Sequence, residues 1–357
     1  MKRTVCHFQK AVIFISVFLM AVFFASSAMA ATAYTRLNPL WGYTIVHQVV
    51  VQNPTAKPIH DIDLEVPLAA NTTISWQDFA GEEFSPKPVK VITNADGTRI
   101  AQYHIDTLPA KSTKTFQQSF GINNYSIRFD IDALEHEKIS NSNKINKKYL
   151  ASESGIDIQD NAIIRYAQSV ANDSTNPYII AKRLFADINL FMTYEDIPNA
   201  EHSASKAVRA ARGNCVDYTF LYVACLRSLG IPARWHTGYT YNVNEHSAYP
   251  YLQKDGTLDG NLLRHTWAEF YLENIGWVVA DPTFTYTANI NGEEEKLVDW
   301  NRFANISRAN HLLWVSEGGA AVDDVKYTYV GSAPNVSFNS AIKLSMDISR
   351  YQDLAGH

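Results

Sequence analysis

The chain has 357 residues, of which 46% are hydrophobic and 19% charged, and its 31 basic and 36 acidic side chains give a net charge of −5. This length is enough for two domains, and the composition is that of an ordinary globular protein. The acidic balance disfavours nucleic-acid binding, which requires lysine and arginine to neutralise phosphates.

The first 30 residues have the pattern of a secretory signal peptide. Basic residues precede an apolar run over 11–24, and Ala28-Met29-Ala30 matches the small-residue pattern that signal peptidase accepts. The run is shorter than the roughly 20 residues needed to span a bilayer, which favours cleavage over a retained anchor. Cleavage removes three basic residues and no acidic ones, leaving 28 against 36 and a net charge of −8. We therefore predict a secreted or periplasmic protein with no stable membrane span.

Residues 31–132 are predicted to form a β-sandwich domain of immunoglobulin-like type. Runs rich in β-branched or alternating residues recur at short intervals, and turn residues at 94–97 separate two of them. The predicted strands are 43–51, 62–67, 89–92, 100–105 and 113–120. Short strands at this spacing over about 100 residues are typical of a small sandwich.

The polar segment 133–150 is interpreted as a linker, and helical patterns follow it. Asp160 is placed to cap one helix, and Asn176-Pro177 is placed to begin another. The segment 203–211 predicts a third, shorter helix.

A further helix is predicted to begin after Gly213-Asn214, with Cys215 in its first turn, and to end at Gly230. The unpaired amide groups and the dipole at a helix start favour an anion, so this position promotes the thiolate form of a cysteine. A lone cysteine is nevertheless more often a small buried hydrophobe. Cys225 would lie about 15 Å away on the same helix, beyond disulfide reach, and is assigned to the core.

Strand character returns at 234–241, and the segments 265–271 and 276–281 predict a hairpin. If this hairpin is symmetric about Glu273, His265 lies directly opposite Asp281, with Cβ atoms about 5 Å apart. A carboxylate there would fix the imidazole tautomer and stabilise its cation. Taken singly, the histidine is more often structural and the aspartate more often a turn former. Together with a thiol at a helix start, they are the parts of an activated cysteine nucleophile.

Four segments resemble, in order and spacing, the motif blocks of the transglutaminase-like superfamily. They are Gly213-Asn214-Cys215-Val216-Asp217-Tyr218, the run from Leu226 to Arg234 with Gly238-Tyr239, His265-Thr266-Trp267-Ala268-Glu269, and Trp277-Val278-Val279-Ala280-Asp281-Pro282-Thr283. The resemblance is specific over 203–284 and weaker back to Asp157. It implies an α+β protein in which a papain-like catalytic domain (151–290) follows the sandwich, and 291–357 extends that core with short strands.

The resemblance also implies an exported cysteine protease, amidase or transglutaminase-like acyltransferase that acts on protein or peptide amides through an acyl-enzyme. In that scheme Cys215 attacks the carbonyl, His265 transfers the proton and Asp281 orients His265. The Cys215 backbone N–H is one oxyanion donor, and Tyr194 is the candidate for the second. Asp217 is expected to interact with the helix dipole rather than with substrate.

The substrate groove is expected to involve aromatic side chains near the hairpin. Trp267, Tyr239 and Tyr241, with the polar loop 242–261, are candidates for an acyl-donor groove, and packing within the hairpin is an equal alternative. Arg234 and Trp235 are expected to support their strand through the apolar parts of their side chains.

Two other functions are alternatives to this one. The first is a catalytically inactive binding or scaffold protein of the cell envelope. The second is a metal site formed by His246, His265, Glu269 and Asp281, which lack a close ligand spacing. We therefore predict no metal and no cofactor, and leave the calcium requirement, the acyl acceptor and the oligomeric state open.

Overall fold

The computed structural model describes residues 34–94, 97–130, 134–135, 147–196, 201–241, 256–307, 311–318 and 322–346. These residues belong to one compact unit, Ala33–His357. The predicted signal peptide, most of the predicted linker and the loop at 242–255 lie outside the described residues. No helix within the described ranges is long and apolar enough to cross a membrane.

Strands predominate, and the longer helices lie between residues 161 and 228. In chain order the strands are β1 (Tyr34–Gln52), β2 (Ile59–Leu68), β3 (Gln77–Ser85), β4 (Lys90–Thr93), β5 (Arg99–Leu108), β6 (Thr113–Phe129), β7 (Thr193–Tyr194), β8 (Arg212–Gly213), β9 (Ala233–Tyr241), β10 (Thr257–Asp259), β11 (Arg264–Leu272), β12 (Gly276–Ala280), β13 (Thr285–Ile290), β14 (Glu293–Val298), β15 (Asn305–Ile306), β16 (His311–Glu317), β17 (Lys326–Val330) and β18 (Asn335–Met346). The helices are α1 (Asn161–Ala171), α2 (Pro177–Phe191), α3 (Ala204–Ala210) and α4 (Cys215–Ser228), with 3-10 turns at Lys147–Leu150, Gly260–Leu262 and Trp300–Arg302. The predicted α+β class is confirmed.

The β-sandwich consists of a pair of antiparallel sheets that face each other. One sheet has the strand order β10-β18-β1-β6-β15, with β3 also paired to β6, and the other has the order β17-β2-β5-β4. Apolar side chains from both sheets fill the space between them, among them Val49 and Val51 of β1, Ile62 of β2 and Phe116 of β6. Burial of this surface, at roughly 25 cal/mol per Å², stabilises the contact between the sheets.

The central strands of the sandwich are longer than the sequence pattern indicated. β1 and β6 pair from Tyr34 opposite Phe129 to Gln52 opposite Thr113. The pairing is irregular between Arg36 and Trp41, and such irregularities interrupt the alternation that marks a strand. β3 was not predicted, and its register with β6 also shifts, next to Gly81.

The assignment of all of 291–357 to the core was wrong for residues 326–346. β18 pairs with β1 from Gly42 to Gln52, and β17 pairs with β2, so both strands belong to the sandwich. Among the described residues of this segment, β16 adds to the core sheet, beside β9, and β15 pairs with β6 of the sandwich. A short alternating run predicts a strand but not its partner, so the sequence pattern alone does not assign these strands to the sandwich.

The core has a four-stranded antiparallel sheet in the order β12-β11-β9-β16 within the described residues. Helix α4 packs against β11 on one side and against α1, α2 and α3 on the other. Every residue from Tyr218 to Arg227 is consequently buried, as expected of a helix enclosed on all sides rather than one lying on a surface. The central helix therefore presents only its ends to solvent.

Local sequence signals fix where these helices begin. The side chains of Asp160 and Asn176 accept hydrogen bonds from the backbone N–H groups of Ala162 (2.7 Å) and Ile179 (2.9 Å). At α4, Asn214 accepts from the N–H of Val216 at 3.0 Å, and the Asp217 carboxylate accepts from the N–H of Asn214 at 3.1 Å. This reciprocal capping box stabilises the turn that carries Cys215.

Removal of residues 326–357 is expected to abolish cooperative unfolding, because it exposes the edge of β1 along the pairing with β18 and uncovers β2. The free energy of unfolding is expected to fall by more than about 5 kcal/mol, which is comparable to the whole stability of many domains. Thermal unfolding followed by circular dichroism measures this. The intact chain is the reference. If residues 326–346 served only the core, the unfolding transition of the sandwich would instead remain in the shortened chain.

Candidate active site

Cys215 is the first residue of α4 and is partly exposed. The parallel pair β7 and β8 precedes it and sets Tyr194 opposite Gly213. As expected, the Asp217 carboxylate interacts with the start of α4, where it accepts from the backbone N–H of Asn214. Cys225, by contrast, is fully buried, and burial, with the charge of Asp187, raises the pKa of its thiol.

His265 and Asp281 are in direct contact. The His265 Nε2 lies 2.9 Å from the Asp281 Oδ2, and both side chains are almost completely buried. With Nε2 engaged by the carboxylate, Nδ1 is the ring nitrogen left for the Cys215 thiol. This arrangement fixes one edge of the imidazole and leaves the other for proton transfer.

The hairpin register that predicted this contact was wrong. Ala268 pairs with Ala280 and Leu272 with Gly276, so the turn is centred on Asn274 and not on Glu273. β12 ends at Ala280, before Asp281, and the contact with His265 runs diagonally across the hairpin. Such diagonal neighbours are about 7–8 Å apart at Cα, within reach of longer side chains.

The environment of His265 favours its charged form. Burial lowers the pKa of this imidazole, but the charge and hydrogen bond of Asp281, followed by the hydrogen bond and charge of Cys215, outweigh burial and raise the pKa to about 9. Burial likewise raises the pKa of the Asp281 carboxyl, and His265 and Arg302 more than offset that and lower it. The pair is therefore an imidazolium and a carboxylate near neutral pH.

Arg302 is a site residue that the sequence reasoning missed. Its Nη1 lies 3.2 Å from the Asp281 Oδ2, the same oxygen that contacts His265. The other carboxylate oxygen accepts from the backbone N–H of Thr283 at 3.3 Å. Arg302 lies in a segment with no recognisable motif, so no local signal in the sequence indicated it.

A cavity of about 630 Å³ lies over Cys215 and His265. One part of its wall is apolar and aromatic, with Phe220 and Trp235 in edge-to-face contact at 5.1 Å between ring centres. Another part is polar and contains the ion pair between Arg264 and Asp323. A cleft of this size and mixed lining can hold a few residues of an extended peptide.

Tyr194 lines this cavity and is exposed over about half of its surface. Burial, the charge of Cys215 and that of Asp196 raise the pKa of its phenol to about 12. The hydroxyl group therefore stays protonated at neutral pH and can donate a hydrogen bond. Its role as an oxyanion donor stays a prediction.

The aromatic residues proposed for the groove lie in different places. Tyr239 lines the cavity, but Trp267 and Tyr241 are buried to 0% and 1% exposure and do not. The Trp267 ring stacks beneath His265, with 6.1 Å between ring centres, so it packs under the site and has no surface for substrate. Trp235, expected only to support its strand, is the tryptophan that lines the cavity.

His202 also lines the cavity and was missed by the sequence reasoning. Its Nδ1 lies 3.0 Å from the Asp217 Oδ2. Asp217 thus caps the start of α4 and holds an imidazole at the wall of the cleft. His202 precedes α3 and lies outside the motif blocks, so spacing alone did not indicate it.

Glu269 belongs to a separate buried cluster and not to a site with His265. Its Oε2 lies 2.5 Å from the His236 Nε2 and 2.6 Å from Arg234. Burial raises the pKa of this carboxyl, but the interactions with Arg234 and His236 more than offset burial and lower the pKa. Arg234 also contacts Glu317 at 2.8 Å. His246, the remaining residue of the metal hypothesis, lies outside the described residues.

The family model for the transglutaminase-like superfamily matches residues 164–282. This range contains Cys215, His265 and Asp281 and covers α2, α3, α4 and the hairpin. The chain carries a transglutaminase-like core.

The chain is also similar to other proteins and solved structures. The uncharacterized protein YebA of Bacillus subtilis is 35% identical over 88 residues, which are 24% of this chain and 11% of YebA, so the chain spans only a small part of that relative. A crystal structure of a candidate cysteine protease from Cytophaga hutchinsonii is similar with a TM-score of 0.56 and 16% identity, over 87% of this chain and 100% of that chain. The periplasmic domain of TgpA from Pseudomonas aeruginosa matches with a TM-score of 0.33 and 15% identity, over 71% of this chain and 88% of that domain.

The charge on His265 is expected to make the stability of the transglutaminase-like core depend on pH. Because the folded pKa of about 9 exceeds the ordinary value of 6.5, the stabilisation is fully present below about pH 6.5 and is lost as the pH rises through 9. His265→Gln removes this stabilisation. The unaltered protein should therefore exceed the variant in free energy of unfolding at about pH 6, and this difference should shrink by on the order of 3 kcal/mol by about pH 10.

Urea denaturation at both pH values measures this difference. The unaltered protein is measured in parallel at both pH values. A His265→Gln difference that stays constant across the same range would contradict the assignment of a charged His265.

Proposed function

We propose that this protein is a cysteine-nucleophile enzyme that acts on amide bonds of peptides or proteins through an acyl-enzyme. The observation that carries the proposal is that Cys215 and His265 line one cavity, with the thiol at a helix start and the imidazole engaged by the buried Asp281 carboxylate behind it. These are the components that activate a cysteine.

The proposed reaction has two halves that share the same imidazole. In the first, the Cys215 thiolate attacks the amide carbonyl carbon, the C–N bond breaks, and His265 Nδ1–H gives its proton to the leaving amine. In the second, water or an amine attacks the thioester while His265 takes the proton of the attacking group. The C–S bond then breaks, and the thiolate and imidazolium are restored.

The start of α4 supplies stabilisation for the oxyanion. The backbone N–H of Cys215 is at the first position of the helix, where amide groups have no partner within the helix. Tyr194, on the strand that pairs with the residues just before Cys215, is the proposed second donor. Because its hydroxyl stays protonated, it can donate to an oxyanion without contributing a negative charge.

The pattern of the first 30 residues supports the further proposal that the enzyme works outside the cytoplasm, secreted or in the periplasm. The substrate is then a peptide or protein met there. Water and an amine compete for the same thioester, so protease, amidase and transglutaminase activities are outcomes of one mechanism.

Cys215 is expected to react with iodoacetamide faster than an ordinary thiol, by about tenfold or more near pH 6. His265→Ala should remove this advantage, and Asp281→Ala should reduce it. The rate of carbamidomethylation of the peptide containing Cys215, followed by mass spectrometry, measures the effect.

Cys225→Ala is the matched control, since that thiol is fully buried, and it should label at Cys215 like the unaltered protein. Labelling that follows an ordinary thiol titration, and that ignores the His265 and Asp281 substitutions, would reject the enzyme and favour a binding or scaffold role.

The acyl acceptor is identified by products that depend on Cys215. A mixture of unrelated peptides is incubated with the protein in oxygen-18 water containing a biotinylated primary amine. Hydrolysis adds oxygen-18 to a new carboxylate, and acyl transfer adds the biotinylated amine. We expect at least one of these products, with a loss of more than about 1000-fold in Cys215→Ala, and products unchanged in that variant would refute the mechanism.

A further inference from the structure

Arg302 reaches the catalytic carboxylate from a part of the chain that the family match does not include. It ends the 3-10 turn Trp300–Arg302, and the family match ends at residue 282. Its Nη1 and the His265 Nε2 contact the same oxygen, Asp281 Oδ2, at 3.2 and 2.9 Å. One carboxylate oxygen is thus shared by two cationic groups.

The Arg302 side chain is fixed by several contacts of its own. Its Nε lies 3.3 Å from the Asp299 Oδ2, and its guanidinium carbon lies 3.7 Å from the centre of the Phe284 ring. The backbone N–H of Asp281 donates to the Arg302 carbonyl at 2.9 Å. With 10% of its side chain exposed, Arg302 is locked in place, and a fixed donor of this kind restricts rotation of the carboxylate.

We propose that Arg302 is a positioning residue of the proposed reaction, which holds the Asp281 carboxylate against His265 and weakens the hold of that carboxylate on the imidazolium proton. The inference rests on the proposed function for its catalytic meaning, whereas the effect on His265 itself does not need a substrate.

The direction of the effect follows from the charges around the imidazole. Asp281 faces one edge of the ring and Cys215 the other, Arg302 lies behind the carboxylate, and Arg264, the preceding residue, is neutralised by Asp323. Trp267 and Phe284 cover the ring without charge. Because Asp281 compensates two cations, its stabilisation of imidazolium is smaller than that of an unshared carboxylate.

This balance suits an imidazole that must release its proton and take it back. A histidine held too firmly as a cation would give up its proton slowly to the leaving amine. An arginine on the same oxygen keeps the carboxylate ionised and in place while opposing the second positive charge. Arg302 therefore makes the His265 imidazolium a stronger acid, and this is the group that protonates the leaving amine in the first half of the reaction.

Titration of the His265 ring tests the proposal. Nitrogen-15 NMR of the imidazoles follows each histidine against pH, with the His265 signal assigned by its loss in His265→Gln. Arg302→Gln removes the charge but retains a donor, and should move the His265 midpoint upward by about one pH unit. Arg302→Lys retains the charge and should leave the midpoint near that of the unaltered protein.

Arg209→Gln is the matched control, because it removes an arginine paired to another aspartate, Asp160, at 2.8 Å, and should not move His265. A folded Arg302→Gln protein with an unchanged or lower midpoint would overturn the proposal. If that variant does not fold, a shifted midpoint in Arg302→Lys overturns it equally.

The two proposals fail separately. An ordinary, His265-independent thiol in the unaltered protein would end the proposed enzyme but leave the titration result intact. A reactive Cys215 combined with an Arg302→Gln midpoint that does not move would remove only the role of Arg302.

Discussion

The buried carboxylate of Asp281 is the constraint on which the site depends. A fully buried ion is stable only when its charge and its hydrogen-bonding capacity are matched. Asp281 meets this requirement with His265 from β11, Arg302 from a 3-10 turn and the backbone of Thr283. Three segments of the chain must therefore converge before the carboxylate can be buried, so the same contacts that stabilise this region also orient the imidazole toward Cys215.

The sandwich takes part in shaping the cleft. Tyr239 of β9 lines the cavity, and its hydroxyl lies 2.8 Å from the Nε2 of His47 on β1. β10, just before the cavity residues Asn261 and Leu262, pairs with β18 of the sandwich sheet. The wall of the cleft opposite α4 is thus attached to the sandwich, which explains why the two regions form one compact unit and not a pair of independent domains.

The sequence predicted what local patterns determine and missed what distant contacts determine. Caps and periodicity located α4 and placed Cys215 in its first turn, and the hairpin pattern brought His265 near Asp281 even though its register was shifted by two positions. Arg302, His202 and the partner of β18 depend on contacts between segments with no shared periodicity. Trp267 was predicted at the substrate groove but is buried. Alternation shows which residues share a face of a strand, but it does not show which face a helix covers.

A second buried acid, Glu269, lies on the same strand as His265 but contacts other side chains. Glu269 forms an ion pair with Arg234 and contacts His236, and the Trp267 ring packs near both imidazoles, with ring centres 5.9 Å from His236 and 6.1 Å from His265. The fully buried indole packs beside both carboxylate–imidazole contacts, in surroundings of low dielectric constant where each contact is strong. Glu269 therefore has partners of its own, and Asp281 is the carboxylate that contacts His265 and raises its pKa.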